Sequence, residues 1–178
     1  MSSAASSPIP GAAPPPPPRR HVFLPLVGLV TIPLLVLDQA TKLYVRSHMT
    51  LYESIPIIRN FVDITYTRNA GAAFSMFTNL PPWFRGAFLF SLSIAAIVAL
   101  LVLLTKSDRF TPTSIGFALI LAGASGNLID RAVRGEVVDF IRVHYYALNY
   151  PIFNVADSAI SVGVTLILYA AFFQSDSD

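Results

Sequence analysis

Asp38, Asp130, Asp139 and Asp157 are the residues of this chain whose type and placement could do chemistry. Two carboxylates brought within a few ångströms cannot easily both ionise, so they share one proton. One then acts as base on a water and the other as acid on a carbonyl oxygen, which is aspartic peptide hydrolysis without a cofactor. Acids inside a membrane can instead relay protons or cations in a transporter, and a non-catalytic assembly factor is a third possibility. Other catalytic patterns are missing. The sequence has no His-Glu-x-x-His, no Gly-rich phosphate loop and no Gly-x-Ser-x-Gly elbow. It has no Cys, and His21, His48 and His144 are scattered, so no metal site is expected. A Ser–Lys pair would have to use Lys42 with Ser125 or Ser158, and nothing favours it.

The four acids sit at or near the ends of four uncharged apolar runs, Val22–Leu37, Ala87–Leu104, Phe110–Ile129 and Ser158–Phe173. If each run crosses a bilayer, direction alternates. Asp38, Asp130 and Asp157 then fall on one face, and the short loop between the third and fourth runs adds Asp139 to it. Composition agrees. The chain is 54% hydrophobic and 12% charged, with mean hydropathy +0.61, against about 25% charged in soluble domains. A net charge of +2 gives no argument for nucleic acid. A span needs roughly 20 apolar residues. The first and fourth runs are short, so they must extend toward Asp38 and Asp157, which places acids at interface depth.

The expected fold is a mainly α membrane protein: four transmembrane helices, with a small strand-containing platform at 45–84 between the first and second. Within that platform Phe61–Thr67 alternates at period two and predicts a strand, and Pro56 makes the preceding segment an edge or turn. Trp83 suits an interface anchor. Residues 1–20 are Ser, Ala and Pro and predict a disordered tail. Residues 21–174 form one domain, and 175–178 a short acidic tail. The first run lacks a small-residue cleavage site and reads as an uncleaved span. Four basic residues lie on the side of the termini and eight on the side of the acids. Taken alone, that count puts the acids in the cytoplasm.

Helical spacing groups side chains further. Asp38, Thr41 and Lys42 share a face, as do Asn127, Asp130 and Arg131. Asn154 and Asp157 are three apart at the start of the fourth run, and Gly123 and Gly126 permit close backbone approach. Each group has a plain structural reading too. Asp130–Arg131 suits an interfacial ion pair, Asn154 an N-cap with Asp157 in its first turn, and Asn69-Ala70-Gly71 a turn.

Five blocks carry a resemblance. They are Asp38-Gln39-Ala40-Thr41-Lys42, Asn69-Ala70-Gly71-Ala72-Ala73-Phe74, Gly123 through Arg131, Val137-Val138-Asp139-Phe140, and Phe153-Asn154-Val155-Ala156-Asp157. Together, in this order over residues 24–173, they resemble the lipoprotein signal peptidase family, also called signal peptidase II. The Pro-rich head lies outside the resemblance, and Ala122 stands where many members have Gly.

The resemblance implies an aspartic endopeptidase of the bacterial inner membrane. It would remove signal peptides from diacylglyceryl-modified prolipoproteins, cleaving before the lipidated cysteine. Asp139 and Asp157 would be the catalytic pair. Asn69, Gly71, Asn127, Arg131 and Asn154 would hold substrate or support the dyad, and Asp38, Lys42 and Asp130 would be supporting polar contacts. It implies no cofactor and no metal, with prolipoprotein and membrane lipid as partners of a monomer. Both termini would be cytoplasmic and the site near the outer face, opposite to the charge count.

Overall fold

The computed structural model describes residues 21–71, 81–146 and 148–173. The expectations for residues 1–20 and 175–178, and the Ala72–Phe74 part of the second block, lie outside them. Among these residues four helices are long and apolar enough to cross a membrane: α1 (Phe23–His48), α2 (Pro82–Thr105), α3 (Pro112–Arg134) and α4 (Val155–Phe173). A four-stranded antiparallel sheet, in the order β1 (Ser54–Ile58), β2 (Val62–Asn69), β3 (Val137–Tyr145) and β4 (Leu148–Asn149), completes the fold. The chain is a multi-pass membrane protein. Large apolar side chains such as Leu24, Leu29, Val98 and Phe172 are exposed along the spans, as a lipid-facing surface requires.

The helix α3 is the central element. Of its apolar window 44% is buried, against 17%, 11% and 17% for α1, α2 and α4. It packs on all three other helices, while α2 and α4 scarcely touch one another. Thr111 caps it, with reciprocal bonds to Ser114, and Pro112 fits its first turn. Gly135 ends it at φ +77°, donating to the Arg131 carbonyl at 3.0 Å. At the end away from the sheet, Val22, Leu26, Leu100, Leu104, Ala118 and Leu121 form an apolar core.

The short first run becomes a full span by passing through its acid. α1 continues past Asp38 to His48, and Lys42 within it is fully buried. A π turn at Val27–Thr31 precedes Pro33, which has no N–H to give the ladder, and the Thr31 hydroxyl donates to the Ala118 carbonyl at 3.0 Å.

The platform differs from expectation in one respect. Its first hairpin, β1–β2, does lie between α1 and α2, and β1 with Pro56 is an edge. The other two strands come from between α3 and α4. Asp139, expected in a loop, lies in β3, paired with Thr67 of β2. Val137–Tyr145 is β-branched and aromatic at most positions, which favours a strand. The β3–β4 turn passes through Tyr146 at φ +50°, and Phe153 closes back onto Ile141. Val45, Tyr66, Val138 and Phe140 seat the sheet on the end of α1.

Candidate active site

The expected acids converge at the sheet-facing ends of the helices, in two groups. The first group surrounds Lys42. Its Nζ lies 2.9 Å from Asp38 Oδ2 and 2.9 Å from Asp130 Oδ2, and donates to Asn127 Oδ1 at 3.0 Å. The ammonium thus uses all three of its protons. Asp38 Oδ1 accepts the Ala156 N–H at 2.9 Å, pinning the start of α4 to α1. Asp130 also pairs with Arg134, and its Oδ2 accepts the Val138 N–H at 3.2 Å, which fixes β3. Lys42 and Asp130 are fully buried, and Asp38 is 1% exposed. Two cations face two carboxylates, and every carboxylate oxygen meets an N–H donor. This arrangement meets the requirement that buried charge be paired and hydrogen-bonded. A Cβ on Gly126 would collide with the Asp38 carboxylate, so a bare backbone is needed there.

The second group is Asp139 and Asp157, held by amides. Asp139 Oδ1 accepts Asn154 Nδ2 at 2.7 Å, and Oδ2 accepts Asn69 Nδ2 at 3.0 Å. Asp157 Oδ1 accepts Asn127 Nδ2 at 2.8 Å. Asn154 caps α4: its Oδ1 accepts the Asp157 N–H at 2.9 Å, and its own N–H donates to Asp157 Oδ2 at 3.3 Å. The plain capping interpretation is therefore correct as far as it goes. Asn154 also reaches Asp139, through its Nδ2. Asn127 joins the groups, accepting from Lys42 and donating to Asp157.

Both aspartates line one cavity of about 270 Å³, together with Asn69, Gly71, Asn127 and Arg131. Arg131 Nη1 bonds its own helix at the Asn127 carbonyl, 3.4 Å away. Asn69 Oδ1 accepts the Gly71 N–H at 2.8 Å, an Asx turn, and Gly71 has φ +98° with Leu89 of α2 where a Cβ would stand. Asp139 is 2% exposed. Burial, and then the Asp157 charge, push its pKa up to about 6, against the opposing pull of Asn69 and Asn154. Such a carboxyl can hold a proton that its neighbour lacks. Among the described residues no three His, Cys, Asp or Glu side chains group as a metal site would require.

All ten expected site residues thus fall in one contiguous region, contributed by five segments far apart in sequence but linked by side-chain contacts. Three contributors were not singled out. Gln39 Nε2 bridges Asp38, at 3.0 Å, and the Gly126 carbonyl, at 3.1 Å. Arg134 is the partner of Asp130, a pairing that its i, i+4 spacing could have suggested. Tyr150 through Phe153 form an apolar wall of the cavity, which no local pattern announces.

Comparison with known proteins shows the family. The family described as signal peptidase (SPase) II matches residues 30–173. A lipoprotein signal peptidase of Syntrophus aciditrophicus is 47% identical over 150 residues, covering 83% of this chain and 89% of that one. One of Geobacter metallireducens is 43% identical, covering 80% and 87%. One of Staphylococcus haemolyticus is 32% identical, covering 89% and 98%. A bacterial membrane enzyme solved by the in meso method at 2.3 Å superposes with TM-score 0.78 at 32% identity, over 90% of this chain and 96% of that one. A second, at 1.9 Å, gives 0.76 at 32% identity, over 88% and 99%. With its four spans and its five sequence blocks, this chain belongs to the signal peptidase II family.

Proposed function

We propose that this protein is an aspartic endopeptidase that removes the signal peptide from diacylglyceryl-modified prolipoproteins, cutting before the lipidated cysteine. The observation that carries the proposal is that Asp139 and Asp157 line one cavity at span-end depth and, among the described residues, accept hydrogen bonds only from amide N–H groups. No cation among the described residues lies within ion-pair distance of either.

The dyad holds one proton. The ionised carboxylate takes a proton from water as the water oxygen attacks the scissile carbonyl carbon. The protonated carboxyl gives its proton to the carbonyl oxygen. The tetrahedral diol then collapses: one carboxylate takes a proton from a diol hydroxyl as the C=O re-forms, the C–N bond breaks, the other carboxyl gives its proton to the nitrogen, and an acid and an amine leave a dyad that again holds one proton. Asn127, Asn154 and Asn69 hold the carboxylates in place. Arg131 and the Asn69–Gly71 turn line the cavity where substrate backbone would lie. Asp38, Lys42 and Asp130 tie α1, α3, α4 and β3 together beneath the dyad. The gap between α2 and α4, with Leu89 and Asp157 on its two sides, suits lateral access for a substrate that stays in the bilayer.

We place the protein in the bacterial inner membrane as a monomer, with both termini cytoplasmic and the dyad near the outer face. The excess of basic residues on that face is compatible with this. Lys42 and Arg134 are consumed in buried pairs, Arg142 pairs with Asp63, and Arg131 lines the cavity. Such residues are poor guides to a rule about loops.

The test is cleavage by the purified chain of one prolipoprotein with and without the diacylglyceryl group. Cleavage of the modified form alone, before its cysteine, is expected. A folded chain that cuts neither form, yet dissipates a proton gradient in vesicles, would make it a transporter instead.

A further inference from the structure

We infer that a second cavity, between the ends of α1 and α3 and the far face of β2–β3, binds the phosphodiester of an anionic phospholipid headgroup. It measures about 240 Å³ and is lined by Arg46, Arg68, Arg134, Glu136, Val133 and Val138. The sheet separates it from the catalytic cavity. Successive strand residues point to opposite faces. Val137 and Asp139 line the catalytic cavity, and Glu136 and Val138 line this one. On β2, Asn69 lines the first and Arg68 the second.

The charges are unbalanced. The Arg134 guanidinium is paired with Asp130, inside the neutral group that also contains Lys42 and Asp38. Its Nε–H is buried and has no acceptor among the described residues. Among the described residues no carboxylate lies within ion-pair distance of Arg46 or Arg68. Arg68 donates Nε to the Tyr66 hydroxyl at 3.0 Å and stands 5.8 Å over its ring, which orients the guanidinium and leaves its other N–H groups unused. Glu136 is the one acid lining the cavity. Arg46 and Arg68 against Glu136 leave one positive charge in excess. A phosphodiester carries one negative charge and supplies the acceptor oxygens that the guanidinium groups lack.

The depth fits a lipid source. Arg46 and Arg134 lie about 33–35 Å along their helices from the opposite ends, just past about 30 Å of hydrocarbon. That is the level of phosphate groups. A lipid held there would clamp the platform to the two helix ends beneath it, through Arg134 and the Val138 strand that Asp130 also holds.

The test is native mass spectrometry of the full chain in neutral detergent, titrated with phosphatidylglycerol, phosphatidylcholine or inorganic phosphate. Phosphatidylglycerol should bind at one saturable site. Arg46→Gln/Arg68→Gln should weaken it by roughly fivefold per arginine removed. Arg46→Gln alone, at an exposed helix end, keeps the test open should the double variant fail to fold. Equal binding by the variants, or phosphatidylcholine binding as tightly as phosphatidylglycerol, would overturn the proposal. Inorganic phosphate saturating the same arginines as tightly would make it a free-phosphate site, which also overturns it. The readout is binding, so it stands apart from whether the chain cleaves prolipoproteins.

Discussion

Two pairs of aspartates lie side by side in this molecule, and their neighbours assign them different work. Asp38 and Asp130 face Lys42 and Arg134, with backbone N–H groups filling the remaining positions. Asp139 and Asp157 accept their hydrogen bonds from asparagine amides and one backbone N–H among the described residues, with Arg131 lining the same cavity beyond ion-pair distance. A carboxylate paired with buried cations serves as a joint between helices. One held by neutral donors in a buried place keeps the option of protonation, which hydrolysis needs. Asn127 is the boundary, its oxygen accepting from the Lys42 of the first pair and its nitrogen donating to Asp157 of the second. The same residue type thus becomes structural or chemical according to whether its partners carry charge.

This contrast is open to attack in several ways. The largest effect is expected at the dyad. Asp139→Asn or Asp157→Asn should each lower turnover by about 10⁴-fold or more while the fold persists, as read by single-turnover cleavage beside circular dichroism. Lys42→Met attacks the other pair. It leaves two buried carboxylates without their shared cation, and should cost about 3–5 kcal/mol of stability in denaturant unfolding. Were Lys42→Met to fold normally and lose only turnover, the division into joint and dyad would be wrong. Asn127→Ala touches both groups. It should lower turnover by about 10²-fold through misplacement of Asp157, with a measurable drop in unfolding midpoint.

The pH dependence sharpens the same point. The Asp139 pKa is raised from 3.8 to about 6, so the folded state holds this proton more tightly than the unfolded chain does. Its neutral form favours the fold, and that contribution is present below pH 3.8 and lost as pH rises through about 6. If this proton is the one used, kcat/KM of the free enzyme should decline above about pH 6, tenfold per unit. A profile flat through that region would detach the raised carboxyl from the chemistry. The smallest effect is expected at the platform rim, where Arg142 lies 3.6 Å from Asp63. Arg142→Gln, which truncates the more exposed partner, should cost under about 1 kcal/mol and leave turnover unchanged.

Much of this was legible in the residues. Apolar runs count spans directly, because a bilayer demands about 20 residues of each, and alternation of direction then brings the acids to one face. Helical spacing grouped Asp38 with Lys42 and Asn154 with Asp157 for the same geometric reason. Local pattern could not show which acid meets which partner. Asp130 meets Lys42 across two helices, a contact set by the packing of α1 on α3. Asp139 was expected in a loop because its segment is short and follows a helix, yet its β-branched neighbours find Thr67–Asn69 on a strand far earlier in the chain. The Tyr150–Phe153 wall exists only because Phe153 pairs back onto Ile141. Division of the four acids into two pairs came from the family resemblance. The geometry supplies a physical reason for it.

The most direct test of the central claim is single-turnover cleavage of a diacylglyceryl-modified prolipoprotein by wild type, Asp139→Asn, Asp157→Asn and Asp130→Asn, each checked for folding. The account predicts that wild type cuts before the lipidated cysteine and that neither dyad variant cuts although both are folded. Any loss in Asp130→Asn should follow its loss of folded protein. A folded Asp139→Asn or Asp157→Asn chain that still cuts at the wild-type rate would contradict the account.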